Sequence, residues 1–181
     1  MGELGERLSL LKVEARSPDG GLTASARGRG EVQVSFAWDT YRGYRAATLA
    51  RQLEALATLL WARYWRRYLE IVAAWADADA DADADDEPEP TEQDREFRRR
   101  LQELTVIGMS AHGRVIVRSR ALVSWHFEID GEPVGSLTEQ QFLAELDSAV
   151  AAVLADHRAK LTLLKDAVYD IGLPRAMRTA G

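Results

Sequence analysis

Apolar positions alternate in some stretches of the chain and recur every three or four residues in others. Residues 3–11 place leucines on one face of a short helix. Three strands are predicted next, over residues 12–17, 22–26 and 32–38, with turns between them at glycine-rich positions. A long helix is expected over residues 46–76. Its core-facing candidates are Leu49, Leu53, Leu56, Leu60, Tyr64, Leu69 and Val72.

The same order of patterns returns in the second part of the chain. Phe97, Leu101 and Leu104 mark one face of a short helix. Strands are predicted over residues 106–110, 114–120 and 122–129. Ser136 followed by Glu139 predicts a capping box at the start of a second long helix. This helix is expected to reach about residue 171, where Gly172 and Pro174 end it.

The two patterns coincide without a gap when the chain is shifted along itself, since Gly113 then lies on Gly20 (113 − 20 = 93). Apolar positions agree throughout: Leu22, Val32, Val34, Phe36 and Leu49 lie on Val115, Trp125, Phe127, Ile129 and Phe142. A repeat of this length indicates a duplicated domain and not a solenoid. Because a copy of about 75 residues is marginal alone, the copies are expected to cover each other's apolar faces. The predicted fold is α+β, with two tandem helix, three-stranded meander and long-helix units packed as an intramolecular pseudo-dimer.

Charge divides the chain into the same parts. The net charge of −6 arises in residues 76–94, which hold ten acidic residues and no Lys or Arg, whereas the flanking parts are mildly basic. The expected boundaries are a first copy at 1–76, an acidic disordered linker at 77–94, a second copy at 95–172 and a flexible tail at 173–181. The linker is interpreted either as a solubilising spacer or as a segment that competes with a polyanion for a basic surface.

The string SPDGGLTASARGRGEVQVSF, set between a short and a long helix, resembles the YbaB/EbfC family of nucleoid-associated bacterial proteins. Residues 13–36 match the family's strand and turn pattern well. Residues 105–129 match it poorly, because Arg120-Ala121-Leu122 stands where Arg27-Gly28-Arg29 does. The resemblance implies a dimeric unit that binds DNA with little sequence preference. Relatives of this fold in actinobacterial type VII secretion imply instead an accessory protein that stabilises a protein partner.

Candidate catalytic chemistry is sparse. The absence of cysteine excludes thiol catalysis, disulfides and cysteine-ligated zinc. His112, His126 and His157 lack the spacing of metal ligands, and Arg27-Gly28-Arg29-Gly30 lacks the spacing of a phosphate-binding loop. The chain is therefore interpreted as a non-enzymatic binding protein without a cofactor or metal. No apolar run is long enough to cross a bilayer and no signal peptide is recognised, so a cytoplasmic location without membrane insertion is expected.

Arginines on predicted rigid elements are the candidate nucleic-acid ligands. Guanidinium groups bind phosphate oxygens bidentately and give affinity without sequence readout. The candidates are Arg16, Arg27, Arg29, Arg114, Arg118 and Arg120 on strands and turns, and Arg66 and Arg67 on the first long helix. Non-specific binding of duplex DNA is the leading functional hypothesis, and an ordinary solvated surface is the alternative interpretation of these residues.

Aromatic residues crowd one segment of the first long helix. The candidate protein-interface residues are Trp61, Tyr64, Trp65, Tyr68 and Trp75. This apolar face is wider than a single sheet contact requires. It is interpreted as the interface with the second copy's helix, as a site for a partner protein, or as a membrane-surface helix. A protein-binding accessory or chaperone is therefore the alternative function, and further homodimerisation is left open.

Overall fold

The computed structural model describes residues 3–28, 30–79, 89–131 and 133–172. The first half contains α1 (Glu3–Ser9), β1 (Lys12–Arg16), β2 (Leu22–Arg27), β3 (Glu31–Phe36), a 3₁₀ turn (Tyr41–Gly43) and α2 (Ala46–Asp79). The second half contains α3 (Glu92–Glu103), β4 (Thr105–Met109), β5 (Val115–Arg120), β6 (Ser124–Ile129), α4 (Pro133–Ser136) and α5 (Glu139–Tyr169). The predicted α+β class, with two three-stranded sheets and long helices, is confirmed.

Each sheet is an antiparallel meander, ordered β1-β2-β3 in the first half and β4-β5-β6 in the second. In the first sheet Leu22 pairs with Phe36, and in the second Val115 pairs with Ile129. These pairs lie at positions related by the 93-residue offset, as do the bounds of all six strands. Since a slip of one residue would turn every side chain to the opposite face, the shared register gives both sheets the same inner positions.

The turn between the first two strands of each sheet is built in the same way. In the first half the Leu22 amide donates to Ser17 Oγ at 2.9 Å, and in the second the Val115 amide donates to Ser110 Oγ at 3.0 Å. Gly20 and Gly113 adopt positive φ, 73° and 71°, which glycine accepts without strain. A buried serine followed three residues later by glycine therefore closes both hairpins.

The core is continuous between the halves. Helix α2 packs on β1 and β2 of its own sheet and on β6 of the other, and α5 packs on β4, β5 and β3. The fully buried Phe142 of α5 lies 6.0 Å from Phe36 and 5.8 Å from Tyr41, measured between ring centroids. The Tyr41 hydroxyl also donates to the Leu137 carbonyl at 3.1 Å. Burying a side chain of this size stabilises the folded state by about 1.5–3 kcal/mol.

The start of the second long helix differs from the prediction. Ser136 is the last residue of the short helix α4 and is not the N-cap of α5. Thr138 is the N-cap, since its hydroxyl accepts from the Gln141 amide at 3.2 Å while Gln141 Oε1 accepts from the Thr138 amide at 2.8 Å. The capping box thus begins two residues later than predicted, because residues 133–136 already form a helical turn.

Three further expectations are wrong in detail. Trp38 lies beyond β3 and is 98% exposed, so the alternation of the third strand ends at Phe36. Leu69, expected in the core, is 49% exposed. Strand β6 begins at Ser124 and not at residue 122, because Ala121 and Leu122 adopt positive φ in the preceding turn.

Helical structure enters both ends of the segment expected as a linker. Helix α2 continues to Asp79, and α3 begins at Glu92 behind a capping box formed by Thr91 and Asp94. The aspartate-alanine residues 80–88 lie outside the described residues, as do Arg29 and the expected tail at 173–181. At the end of the second copy, α5 stops at Tyr169, with Asp170 in the left-handed conformation.

Candidate functional site on the first long helix

Four aromatic residues of α2, Trp61, Tyr64, Trp65 and Tyr68, form a continuous stack that we call the aromatic ladder. The ring centroids of Trp61 and Tyr64 lie 5.7 Å apart, those of Trp61 and Trp65 6.1 Å, and those of Trp65 and Tyr68 5.2 Å. The interplanar angles are 13°, 19° and 10°. Residues three and four apart are neighbours on a helix surface, so this sequence spacing is sufficient to produce the stack.

One end of the ladder is anchored in the protein. Trp61 and Tyr64 are partly buried and pack against the core. The Tyr64 hydroxyl donates to the Gly28 carbonyl at 3.0 Å, which ties α2 to the turn after β2. Burial, together with the nearby Tyr68, raises the pKa of Tyr64, so the hydroxyl remains a neutral donor at physiological pH.

The other end of the ladder faces solvent. Trp65 is 47% exposed, and the neighbouring Leu69 is similarly open. Arg66 and Arg67 beside them are exposed, and Arg67 pairs with Glu70 at 2.9 Å. Trp75, the fifth predicted interface residue, is partly buried further along the helix and lies outside the ladder. The exposed end thus combines the Trp65 indole with the guanidinium groups of Arg66 and Arg67, and Trp and Arg are residue types that binding hot spots prefer.

Apart from Arg29, which lies outside the described residues, the predicted nucleic-acid ligands lie on or beside two sheets and on one helix. On the first sheet, Arg16 and Arg27 are exposed on the same face as Lys12, which pairs directly with Arg27 in the strand register. Glu14 and Glu31 lie on this face too. No ion pair of Arg16 or Arg27 occurs within the described parts of the chain, so both guanidinium groups can bind a ligand from solvent.

The arginines of the second sheet make more contacts with other residues of the protein than Arg16 and Arg27 do. Arg118 forms an ion pair with Glu128 of the adjacent strand. Arg120 donates to the Gln102 carbonyl at 3.3 Å. Arg114 precedes β5 and is half-buried. Two of these three guanidinium groups therefore already have protein partners, which weakens the second sheet as a phosphate-binding surface.

Ser110, His112 and Glu145 bring together the residue types of a hydrolase triad, but in a different geometry. Glu145 Oε1 lies 2.5 Å from His112 Nδ1, and Glu145 also accepts from the Ser110 hydroxyl and the His112 amide. A triad needs histidine bonded to the serine, whereas here both bond to one carboxylate. Hydrogen bonds from Ser110 and His112 lower the pKa of Glu145, so the charged carboxylate holds the turn together.

An apolar cavity between the halves was not anticipated from the sequence. Its volume is about 220 Å³, and it lies between α2, α5, the first sheet and β6. Trp61 and Tyr64 line one side, and Leu154 and His157 of α5 line another. Burial lowers the pKa of His157. The interface interpretation of the aromatic run thus accounts for Trp61 and Tyr64, but not for the exposed Trp65.

Other kinds of site receive no support from the part of the chain that the structure describes. No cluster of His, Asp and Glu side chains there could hold a metal ion. None of its helices combines the length and apolarity needed to cross a membrane. Comparison of the chain with family models, curated proteins and solved structures gave no match in any of the three, so the YbaB/EbfC resemblance stays a prediction.

Proposed function

We propose that the chain is an intramolecular pseudo-dimer of two YbaB-like units. Strand bounds separated by a constant 93 residues and the matching Ser17 and Ser110 turns support a duplicated unit. The packing of α2 on β6 and of α5 on β3 supports mutual covering of the two units. Such pairing offsets the small core of each unit.

We further propose that this pseudo-dimer is a non-enzymatic accessory that binds a protein partner through the exposed end of the aromatic ladder. The supporting observation is Trp65, which is 47% exposed in a rigid stack. The equivalent position of the second half is Arg158, so the duplicated fold does not require an aromatic residue there. Trp, Tyr and Arg are enriched in binding hot spots, and a pre-stacked Trp loses little conformational freedom on binding.

A pull-down from native lysate tests this function. Wild type should retain one dominant protein that withstands nuclease and high salt, because burial of apolar surface is much less salt-sensitive than phosphate binding. Trp65→Ala combined with Tyr68→Ala should lose it, whereas Arg158→Ala should retain it. Unfolding temperatures of all three proteins establish that they are folded. Retention of the same partner by the ladder variant would refute the assignment.

Non-specific DNA binding is the second candidate, favoured by the free guanidinium groups of Arg16 and Arg27 on the exposed face of the first sheet. At low salt, wild type should then shift duplex DNA of any sequence, and deletion of residues 77–90 should strengthen the shift by removing competing carboxylates. Arg16→Ala with Arg27→Ala should abolish the shift. Arg118→Ala is the matched control because Arg118 is already paired with Glu128. The absence of a shift, even after the deletion, would exclude this candidate.

A further inference from the structure

The cavity between the two halves is long and narrow. Its lining follows α2 from Leu53 to Tyr64 and α5 from Leu146 to Arg158, which is about three turns of each helix. The step from Leu53 to Tyr64 (64 − 53 = 11 residues) spans about 16 Å, because each residue of a helix rises about 1.5 Å. A volume of about 220 Å³ spread over this length leaves a narrow cross-section. An extended chain therefore fits the space better than a ring system does.

The wall of this cavity is apolar along almost its whole length. Ala57 and Leu60 of α2 and Val150 and Leu154 of α5 are typical of it, and no Asp or Glu of the described residues lines it. Such a lining is common in pockets for small molecules. An apolar cavity of about 150 Å³ in another protein holds the six carbons of benzene, so about 220 Å³ holds about nine carbons by proportion.

One residue of the lining is charged at neutral pH. The ionisable residues there are Tyr64, His157 and Arg158. Burial raises the pKa of Tyr64 and lowers the pKa of His157, so both of these side chains are neutral. Arg158 lines the cavity and is also exposed to solvent, so it lies where the cavity reaches the surface.

The guanidinium group of Arg158 is available to a ligand. It forms no ion pair within the described parts of the chain. Residues three and four positions away on α5 are its neighbours on the helix surface, and none of them is acidic. The cavity thus combines an apolar interior with one unpaired positive charge at its edge.

From the elongated shape, the apolar wall and the unpaired guanidinium group, we propose that this cavity binds a medium-chain carboxylate, with its alkyl chain between α2 and α5 and its carboxylate on Arg158. A guanidinium group binds a carboxylate bidentately. The carboxylate remains in contact with solvent at the edge of the cavity, so its charge is not buried, while the chain is removed from water. This site does not depend on the proposed protein partner, since Trp65 does not line the cavity.

Octanoate and octan-1-ol provide a matched pair of probes, since both have an unbranched eight-carbon chain and only octanoate is charged at neutral pH. Both should bind the full chain in ligand-observed NMR titrations. Arg158→Gln removes the positive charge at the edge of the cavity. The Kd of octanoate should then rise about three- to tenfold, as expected for a partly exposed ion pair with hydrogen bonds, whereas the Kd of octan-1-ol should change less than about twofold.

Chain length and cavity filling test where the alkyl chain lies. Hexanoate, octanoate and decanoate should bind successively more tightly, by about fourfold for each methylene group that the cavity buries. Ala57→Leu should weaken octanoate and octan-1-ol at least about tenfold, because its added carbons occupy the space of two or more methylene groups.

Thermal unfolding shows whether each variant is folded, and Ala57→Leu should keep or raise the Tm of wild type because it fills empty space. If Ala57→Leu does not fold, Val150→Phe on α5 replaces it. Failure of octanoate to bind wild type would overturn the proposal. So would equal changes, or none, in the Kd values of octanoate and octan-1-ol on Arg158→Gln. Unchanged binding in the folded cavity-filling variant would place the chain elsewhere and would also overturn it.

Discussion

The two halves hold the same turn in place with different side chains. In the first half Asp19 accepts from the Gly21 amide and the Ser17 and Tyr44 hydroxyls, while its own amide donates to Gln52 of α2. In the second half the helix supplies the carboxylate, Glu145, and the turn supplies His112. Gln52 and Glu145 are equivalent positions, as are Asp19 and His112. The fold therefore requires one carboxylate near each turn but does not specify which element provides it.

The two halves also use different helix side chains to bind the backbone of their first strands, which lie at the edges of the sheets. In the first half Arg63 of α2 donates to the Glu14 carbonyl of β1 at 2.5 Å. At the equivalent positions of the second half, Asp156 of α5 accepts from the Ile107 amide of β4 at 2.9 Å. A guanidinium group thus binds a carbonyl of the edge strand in one half, and a carboxylate binds an amide of the edge strand in the other. Either solution satisfies an unpaired group of an edge strand.

The halves also differ in how closely helix and sheet approach. Gly108 of β4 lies under α5, where an added Cβ would be 2.4 Å from both the Ala149 carbonyl oxygen and the Val153 nitrogen. The equivalent residue of β1 is the buried Ala15, and the equivalent of Ala149 is Leu56. The small residues Gly108 and Ala149 thus allow α5 to approach β4 closely. In the first half, the larger side chains of Ala15 and Leu56 keep α2 farther from β1.

The strongest test of the shared core is Phe142→Ala. Phe142 is fully buried and contacts Phe36 and Tyr41 of the other half, so the free energy of unfolding should fall by about 3–5 kcal/mol. Urea denaturation followed by circular dichroism and by tryptophan fluorescence should give one coincident transition. The equivalent Leu49→Ala should cost about 2–5 kcal/mol. Separate transitions would show that the halves have independent cores.

Gly108→Ala tests the difference in helix approach. The new methyl group meets helix backbone, which cannot move aside as a side chain can, so the variant should lose about 1–3 kcal/mol of unfolding free energy. The reverse change in the first half, Ala15→Gly, should cost about 1 kcal/mol through backbone entropy. Urea denaturation measures both. A smaller loss for Gly108→Ala than for Ala15→Gly would contradict the closer packing of α5.

Removing the side chains that bind backbone groups of the edge strands should have a smaller effect on the free energy of unfolding. Asp156→Ala leaves the Ile107 amide without its acceptor, and it also removes the ion pair with Lys160. Because these groups are partly exposed and water can replace them, we expect about 1 kcal/mol. Arg63→Ala is the matched variant of the first half and should lose a comparable amount. Hydrogen exchange of the edge strands should increase locally in each variant, and protection unchanged at Ile107 would argue against the Asp156 contact.

The two turn carboxylates, Asp19 and Glu145, should contribute to the dependence of the free energy of unfolding on pH in the acid range. Burial alone would raise the pKa of Asp19, but hydrogen bonds from Ser17, Tyr44 and Gly21 outweigh it and lower the pKa. The pKa of Glu145 is lowered by hydrogen bonds from Ser110, the equivalent of Ser17, and from His112. Both contributions are complete above the ordinary values of 3.8 and 4.5 and are lost as pH falls through the lower folded values.

Asp19→Asn and Glu145→Gln should therefore each make the free energy of unfolding depend less steeply on pH below about 4.5. Near neutral pH, the dependence should change little. Urea denaturation at a series of pH values measures the slope. Exposed Asp130→Asn is a control that should leave it unchanged. A pH dependence below about 4.5 that is as steep in both variants as in wild type would mean that neither turn depends on its carboxylate.

Much of the candidate site could be predicted from residue spacing along α2, whereas the rest depends on how distant parts of the chain pack together. The spacing of Trp61, Tyr64, Trp65 and Tyr68 predicts that their rings are neighbours, because helix geometry alone places them together. Which of those rings is covered depends on where the sheets end beneath α2. The alternating pattern predicts that Trp125 points inward, yet no pattern reveals that its indole nitrogen has no hydrogen-bond partner among the described residues. That outcome depends on how α2, α5 and β6 come together.

The amino-acid sequence by itself determined the order of helices and strands, the repeated register, the glycine turns and the buried leucines of α2. These features depend on periodicity and on backbone preferences that act over a few residues. Only the tertiary structure decided that Thr138 caps α5, that Leu69 lies in solvent, that α2 rests on the other half's β6 and that a cavity remains between the halves. Those outcomes depend on contacts between residues far apart in the chain, where shape and volume, and not local pattern, determine what is covered.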